Sequence, residues 1–201
     1  MTNPPRSPDL RERLVGAGLE LLRDTGVASV TMRAVAARAG VSHAAPGYVF
    51  GDRAGLLTAM AERGFDMLRE HLSGSGDAPA TGTGTIDSMV EVGLRYLEFE
   101  RQEPQVYRLL FDTEEIRRAE PGVAAAGGAA FQVLTEAVPP GIVSPAHGLA
   151  PVLAWAVVHG LASLGRTGAL DRQFEQAVGR ERAEHALLTW LANAVTPAAP
   201  R

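Results

Sequence analysis

The chain has 201 residues, 46% of them hydrophobic, a formal net charge of −4 and no cysteine, which suits one medium domain, or a small one joined to a larger, with a real buried core. No apolar run approaches the roughly 20 residues of a membrane-spanning helix. The first ten residues lack the apolar stretch of a signal peptide, and the missing thiols exclude disulfides and thiolate metal sites, so the expectation is a cytoplasmic protein without membrane contact. Charge is spread unevenly: residues 1–53 carry seven arginines against five acids, and the remainder twelve against eighteen. A basic head on an acidic body fits localised phosphate contact.

Helix signals run along the chain and strand signals are nearly absent. From Asp9 to Asp24, Leu10, Leu14, Ala17, Leu21 and Leu22 recur at helical spacing, and Gly26 follows as a stop. Thr31 can cap a short helix running through Ala39, with Val35, Ala36 and Ala39 on one face. Gly40 can supply a left-handed turn. Val41 plugs the corner, and Ser42 is placed to cap the next helix. Asp52 starts another, with Leu56, Leu57, Met60, Phe65 and Leu68 inward. The segment "SGSGDAPATGTGT" reads as a flexible connector. Helical stretches follow near 86–102, 104–112, 122–138, 148–167 and 172–195. "VPPGIVSPAHG" separates the third from the fourth. A short turn near Gly168 would join the last two as an antiparallel hairpin. The fold class is all-α.

Helix, Gly-containing turn and capped helix make the helix-turn-helix plan. Ala34, Ala36, Ala37 and Ala39 keep the first helix slim, so that the second can cross it closely. With the second beginning at Ser42, the short residues His43, Ala44 and Ala45 let its backbone approach a major groove. Alanine methyls can touch thymine methyls, and His43 can reach a base edge or a phosphate. Amides at a helix start also favour phosphate. The plainer alternative is that Arg33, Arg38 and Arg53 are solvated surface. Val35, Val41 and Phe50 read as core.

Residues 10–60 resemble the DNA-binding head of TetR-type transcriptional regulators. The resemblance is carried by the helix Leu10–Leu22 with Gly26, by "TMRAVAARAGVS", by an aromatic pair ending in Phe50, and by "DRAGLL". A shorter match, "WAVVHGLASL" with Trp155, His159 and Gly160, resembles a Trp-His-Gly segment in the C-terminal domain of one TetR branch. The resemblance implies that Thr31 and Arg33 hold phosphates and that Ser42, His43, Ala44 and Ala45 face bases or backbone. The family pattern after the turn is aromatic, two residues, Phe. Here Gly47 stands where the first aromatic is expected, Tyr48 comes one place later, and Val49 replaces a frequent His. Arg53 replaces the usual Lys and still suits phosphate. Pro46 and Gly47 are poor helix-interior residues and weaken the recognition helix, which leaves Tyr48 to recover the aromatic hydroxyl contact.

Tyr96, Phe99, Tyr107, Leu110, Phe111, Phe131, Trp155 and His159 are the larger groups of the body. They fill a helical core or, as the resemblance implies, line an apolar pocket with a few polar groups. Tyr107, Phe111, Phe131, Trp155 and His159 are the candidates for ligand contact, the last two sharing a helix face at i,i+4 spacing. Ala156, Gly160 and Ser163 form a small-residue strip, and Leu187, Leu188, Trp190 and Leu191 load the final helix with apolar surface. In the family the last two long helices form a four-helix dimer interface. A homodimer would set two heads about 34–36 Å apart on DNA.

Glu181 and His185 sit at i,i+4 without an evident third ligand, so no metal site is expected. The chain has no nucleophile elbow, phosphate loop or dinucleotide fingerprint, and neither enzyme activity nor a cofactor is expected. The expected organisation is a helix-turn-helix DNA-binding domain over residues 1–53 and a helical ligand-binding and dimerisation domain over 54–201. The expected function is a ligand-responsive repressor, released from operator DNA by a small apolar or amphipathic effector. The alternative is a helical small-molecule or partner-binding protein whose head has lost DNA affinity.

Overall fold

The computed structural model describes residues 10–74, 84–139, 149–177 and 179–195. Most of the Gly-rich connector and of the Pro-rich separator lies outside the described residues. Among those described there is no strand. The helices are α1 (Leu10–Thr25), α2 (Met32–Arg38), α3 (Ala45–Phe50), α4 (Arg53–Ser73), α5 (Ile86–Gln102), α6 (Pro104–Asp112), α7 (Pro121–Ala137), α8 (Ala150–Arg166), α9 (Asp171–Ala177) and α10 (Arg180–Val195), with a 3-10 turn at Val27–Ser29.

The local stops and starts follow backbone chemistry. The amide of Gly26 closes α1 on the Leu22 carbonyl at 2.9 Å, and its φ of 80° turns the chain away. The Thr31 hydroxyl accepts from the Ala34 amide at 3.1 Å, a side-chain cap for α2. At the other end of α2, Gly40 has φ 65°. Its amide bonds to the Ala37 carbonyl, and the Val41 amide to the Ala36 carbonyl. This pair of bonds around a left-handed residue is the Schellman arrangement.

Two sequence expectations need correction here. Ser42 does not cap the next helix: α3 begins at Ala45, and its N-cap, Ala44, offers no side-chain bond. The cause is Pro46. A helix starting at Ser42 would need an amide from Pro46, which has none, and its ring would press on the Ser42 carbonyl. Starting at Ala45 puts Pro46 in the first turn, where no amide is needed. Secondly, the stretch expected as one helix over 172–195 is two, α9 and α10. Gly179 lies between them with φ 85°, and its amide bonds to the Phe174 carbonyl at 2.9 Å. Val35 is fully buried as expected, whereas Val41 and Phe50 are only half-buried.

Cα packing groups the chain into two compact units: the residues up to Asp66 with Glu103–Gly127, and Met67–Gln102 with the residues from Gly128 on. In the first, Leu14, Leu22, Val35, Leu56, Met60 and Tyr107 are fully buried. There α6 packs on α1 and α4: Arg23 donates twice to Glu103 at 2.9 Å, and Val106 and Leu110 close over Gly64. In the second, Tyr96, Leu97 and Phe99 of α5 are buried, with Val158 and Ala162 of α8 and Leu188 and Ala192 of α10. Gly93 lets Leu188 approach so closely that a Cβ there would sit 3.0 Å from it. The same α5–α10 contact holds an ion pair, Arg101 to the buried Glu184 at 2.8 Å. This grouping follows packing and does not bear on the functional division expected at residue 53.

Candidate nucleic-acid interface and aromatic clusters

The helix-turn-helix is built by α2 and α3, with Gly40 in the turn between them. Thr31 is exposed with its hydroxyl used as the cap. Arg33 is exposed, and its guanidinium makes no hydrogen bond or ion pair among the described residues. Ser42, His43 and Ala44 are exposed, and Ala45 is half-buried at the start of α3. Tyr48 is 92% exposed, so a phenol stands clear of the protein two residues beyond Pro46. Apart from Ala45, these residues are all exposed on the turn and the helices that flank it.

The remaining arginines of the head behave differently. Arg38 bonds to Asp24 at 3.0 Å and to Glu20 at 3.5 Å. The Asp24 hydrogen bond foremost, against opposing desolvation, raises its pKa further. Arg53 is drawn inward: its Nε donates to the Val30 carbonyl at 2.8 Å and one Nη to the Val27 carbonyl at 2.7 Å. Its other Nη pairs with Glu115. The structure therefore uses Arg53 to hold the 3-10 turn that leads into Thr31.

At the start of α4, Asp52 caps the helix by accepting from the Gly55 amide at 2.8 Å. Arg117 donates one Nη to both Asp52 oxygens, at 2.8 and 2.6 Å. The Gly55 amide foremost, with the charge and hydrogen bond of Arg117, holds the Asp52 carboxyl below its usual range, against an opposing effect of desolvation. Glu115 and Arg117 were not singled out by sequence reading. Their partners lie 62 and 65 residues away, and no local pattern announces a pairing at that range.

The candidate ligand contacts fall into two clusters, one in each unit. In the first, Tyr107 is fully buried, with its ring 4.8 Å from that of Phe111, which meets Phe65 edge-on at 6.0 Å. In the second, Phe131 meets Trp155 edge-on at 6.0 Å, and Trp155 lies 5.4 Å from His159. Sequence reading listed Tyr96 as a large body group but not as a ligand contact. Its hydroxyl joins this second cluster, bonded to His159 Nδ1 at 2.9 Å.

An open groove of about 530 Å³ lies between α1 and α4. Val15, Leu19 and Ala59 line it together with the charged Arg11, Glu12, Glu62, Arg63 and Asp66, and none of the candidate ligand contacts borders it. Among the described residues no group of three or more His, Asp or Glu is placed to hold a metal ion. No described helix is long and apolar enough to cross a membrane. Large apolar residues nonetheless remain exposed on α8 (Val152, Leu153, Val157, Leu164) and on α10 (Leu187, and Trp190 at 69%).

Residues 14–60 match the family described as bacterial regulatory proteins, tetR family, and residues 89–189 match the tetracyclin repressor-like C-terminal domain. The HTH-type transcriptional regulator BetI of Rhizobium meliloti (strain 1021) is 30% identical over 115 residues, 55% of this chain. The match spans 57% of that relative's length. A protein of unknown function from Rhodococcus sp. RHA1 superposes with a TM-score of 0.68 at 26% identity, over 96% of this chain and 97% of that one. The TetR-like transcriptional regulator LfrR of Mycobacterium smegmatis, in complex with proflavine, gives 0.58 at 16% identity over 95% and 99% of the two chains. At that identity the likeness is one of fold.

Proposed function

We propose, for a chain that belongs to the TetR family of bacterial regulatory proteins, that it acts as a homodimeric repressor, released from operator DNA by a small apolar or amphipathic effector. Residues 1–53 form its DNA-binding domain, and 54–201 bind effector and the second copy. The observation that carries the reading is the exposed, unpaired face made by Arg33, Ser42, His43, Ala44 and Tyr48 on a helix-turn-helix closed by Thr31 and Gly40.

On this reading Thr31, Arg33 and Tyr48 meet phosphates, which fix register, while Ser42, His43, Ala44 and Ala45 face bases or backbone. Arg53 supports them from behind while it shapes the turn. Tyr107 and Phe111, and Phe131, Trp155 and His159, are the apolar contacts for effector. LfrR, of the same fold, is known in complex with proflavine, which fits a small amphipathic effector. The exposed apolar residues of α8 and α10 meet a second copy. The chain works in the cytoplasm by binding rather than by catalysis. Release is a population shift: the effector binds the DNA-incompetent state more tightly and draws the protein into it.

The test is retardation of the DNA upstream of its own gene by the purified chain. Affinity should fall steeply with added salt, as counterion release requires. Absent or salt-independent binding would sink the reading. A second reading, that the head has lost DNA affinity, is favoured by the six-residue length of α3 and by Gly47 in the expected aromatic position. Replacing Gly47 with Tyr separates the two, since binding gained by that variant alone supports the second.

A further inference from the structure

The stretch between α6 and α7 is tied to the entry of α4 in a way that ion pairing alone does not explain. The Arg117 amide donates to the Thr58 hydroxyl at 3.1 Å. Thr58 is 3% exposed, and its own proton goes to the Ala54 carbonyl at 2.6 Å. Ile116, beside it, is buried. Arg118 folds back onto the Leu110 and Thr113 carbonyls at 2.7 and 3.3 Å. The backbone at 117 is thus fixed before its side chain reaches out, so only side-chain torsions remain to be ordered when the guanidinium meets Asp52. Glu115, two residues earlier, takes Arg53. Two neighbouring charges of opposite sign at the start of α4 therefore face two charges of opposite sign on one strap, each matched to its opposite.

What the strap grips is the exit of the candidate recognition helix. After Phe50 the chain turns through Gly51, at φ 77°, straight into Asp52 and Arg53. The turn is tight enough that a Cβ on Gly55 would drive into the Phe50 carbonyl oxygen. Arg53 carries the grip further, through the Val27 and Val30 carbonyls, to the residue before the Thr31 cap. Both ends of the helix-turn-helix are thereby referred to one short segment over residues 115–117.

We propose that Glu115 and Arg117 are positioning residues for DNA recognition: without touching DNA, they set the orientation of α3 by clamping Asp52 and Arg53. The proposal rests on the functional reading above and deepens it. Asp52→Asn isolates the clamp, because Asn caps a helix as well as Asp does yet gives Arg117 no charge to hold. The full-length chain is titrated onto a labelled DNA fragment that the wild type retards, and amide exchange is followed on the DNA-free protein. Arg117→Ala and Asp52→Asn should each weaken DNA binding about fivefold, the upper range for an exposed pair. Their double variant should be no weaker than either single. Arg117→Lys should recover most of the loss.

In the free protein, exchange should quicken over 51–56 in Arg117→Ala while α1 keeps its protection. Unchanged affinity in the singles, additive losses in the double, or unaltered exchange over 51–56 would each overturn the clamp. Failure of the wild type to retard any DNA would sink the functional reading, and the exchange comparison would still decide whether the strap orders the turn.

Discussion

The Tyr96 hydroxyl lies 2.9 Å from Nδ1 of His159 and 3.4 Å from Nε1 of Trp155. An indole nitrogen only donates, so the Trp155 proton points at the Tyr96 oxygen, and the direction of the bond between Tyr96 and His159 follows the tautomer of the imidazole. One hydroxyl of α5 thus joins two rings of α8. Tyr96→Phe removes the shared partner of both rings and should cost about 1–3 kcal/mol of stability in chemical denaturation. A change within error would show that the three groups are satisfied elsewhere.

Gly55→Ala tests the tightness of the turn into α4. The added methyl meets backbone, the Phe50 carbonyl oxygen, which cannot swing aside as a side chain would. Destabilisation of about 1–3 kcal/mol is expected. Gly16→Ala, at an exposed position of α1, is the contrast, with nothing within 4 Å of its Cβ, and should stabilise by about 0.5–1 kcal/mol. Equal effects in the two would contradict the geometry.

Trp190 is the most exposed large apolar residue of α10. If a second copy covers it, Trp190→Ala should raise the dimer dissociation constant by at least about tenfold in analytical ultracentrifugation. The chain has only two tryptophans. In a Trp155→Phe background the emission of Trp190 should shift to the red on dilution as the interface opens. Emission independent of concentration, with a mass that stays that of one chain, would remove α10 from the interface.

Arg33 and Arg38 both lie on α2, but only Arg38 has acids within reach. Arg33→Ala should weaken DNA binding across all sequences and lower the dependence of log K on log salt by about one. Arg38→Ala should move that slope far less, because its charge is already neutralised by Asp24 and Glu20. Equal slopes would mean that the ion pairs break when DNA arrives.

The Asp52 carboxyl has its pKa lowered in the folded chain, by the Gly55 amide first and by Arg117 after it. Its contribution to stability is therefore complete above the ordinary carboxylate value and is lost as pH falls through the lowered one. Titration followed by carbon NMR should place the Asp52 midpoint below that of a free aspartate, ~3.9. Arg117→Ala should bring the midpoint part of the way back, since the amide bond remains. A midpoint at the free value in the intact protein would remove the cap.

The parts of the fold that sequence reading recovered are those decided within one turn of chain. The Thr31 cap, the stop at Gly26 and the left-handed Gly40 each depend on residues three to five places apart. The start of α3 was misread because Ser42 is a good cap in isolation, and the deciding group was an absent amide four residues on. Gly179 broke the final helix for a similar reason: a single permissive backbone position outweighed a long apolar pattern. The exposure of Arg33, His43 and Tyr48 follows from local surroundings that the sequence shows. The inward bonds of Arg53 do not, since its partner Glu115 lies 62 residues away in the segment after α6. Tyr96 was passed over as a mere core ring because the groups that use its hydroxyl lie on α8.

The brevity of α3 bears on how the protein could find its place on a chromosome. Its six residues, rising ~1.5 Å each, make a rod of about 9 Å, shorter than three base-pair steps of ~3.4 Å. On the proposed reading α3 alone spans too few base pairs to serve as an address. Ser42, His43 and Ala44 ahead of it, and the gap to a second copy with the bend of the duplex between, would supply the rest.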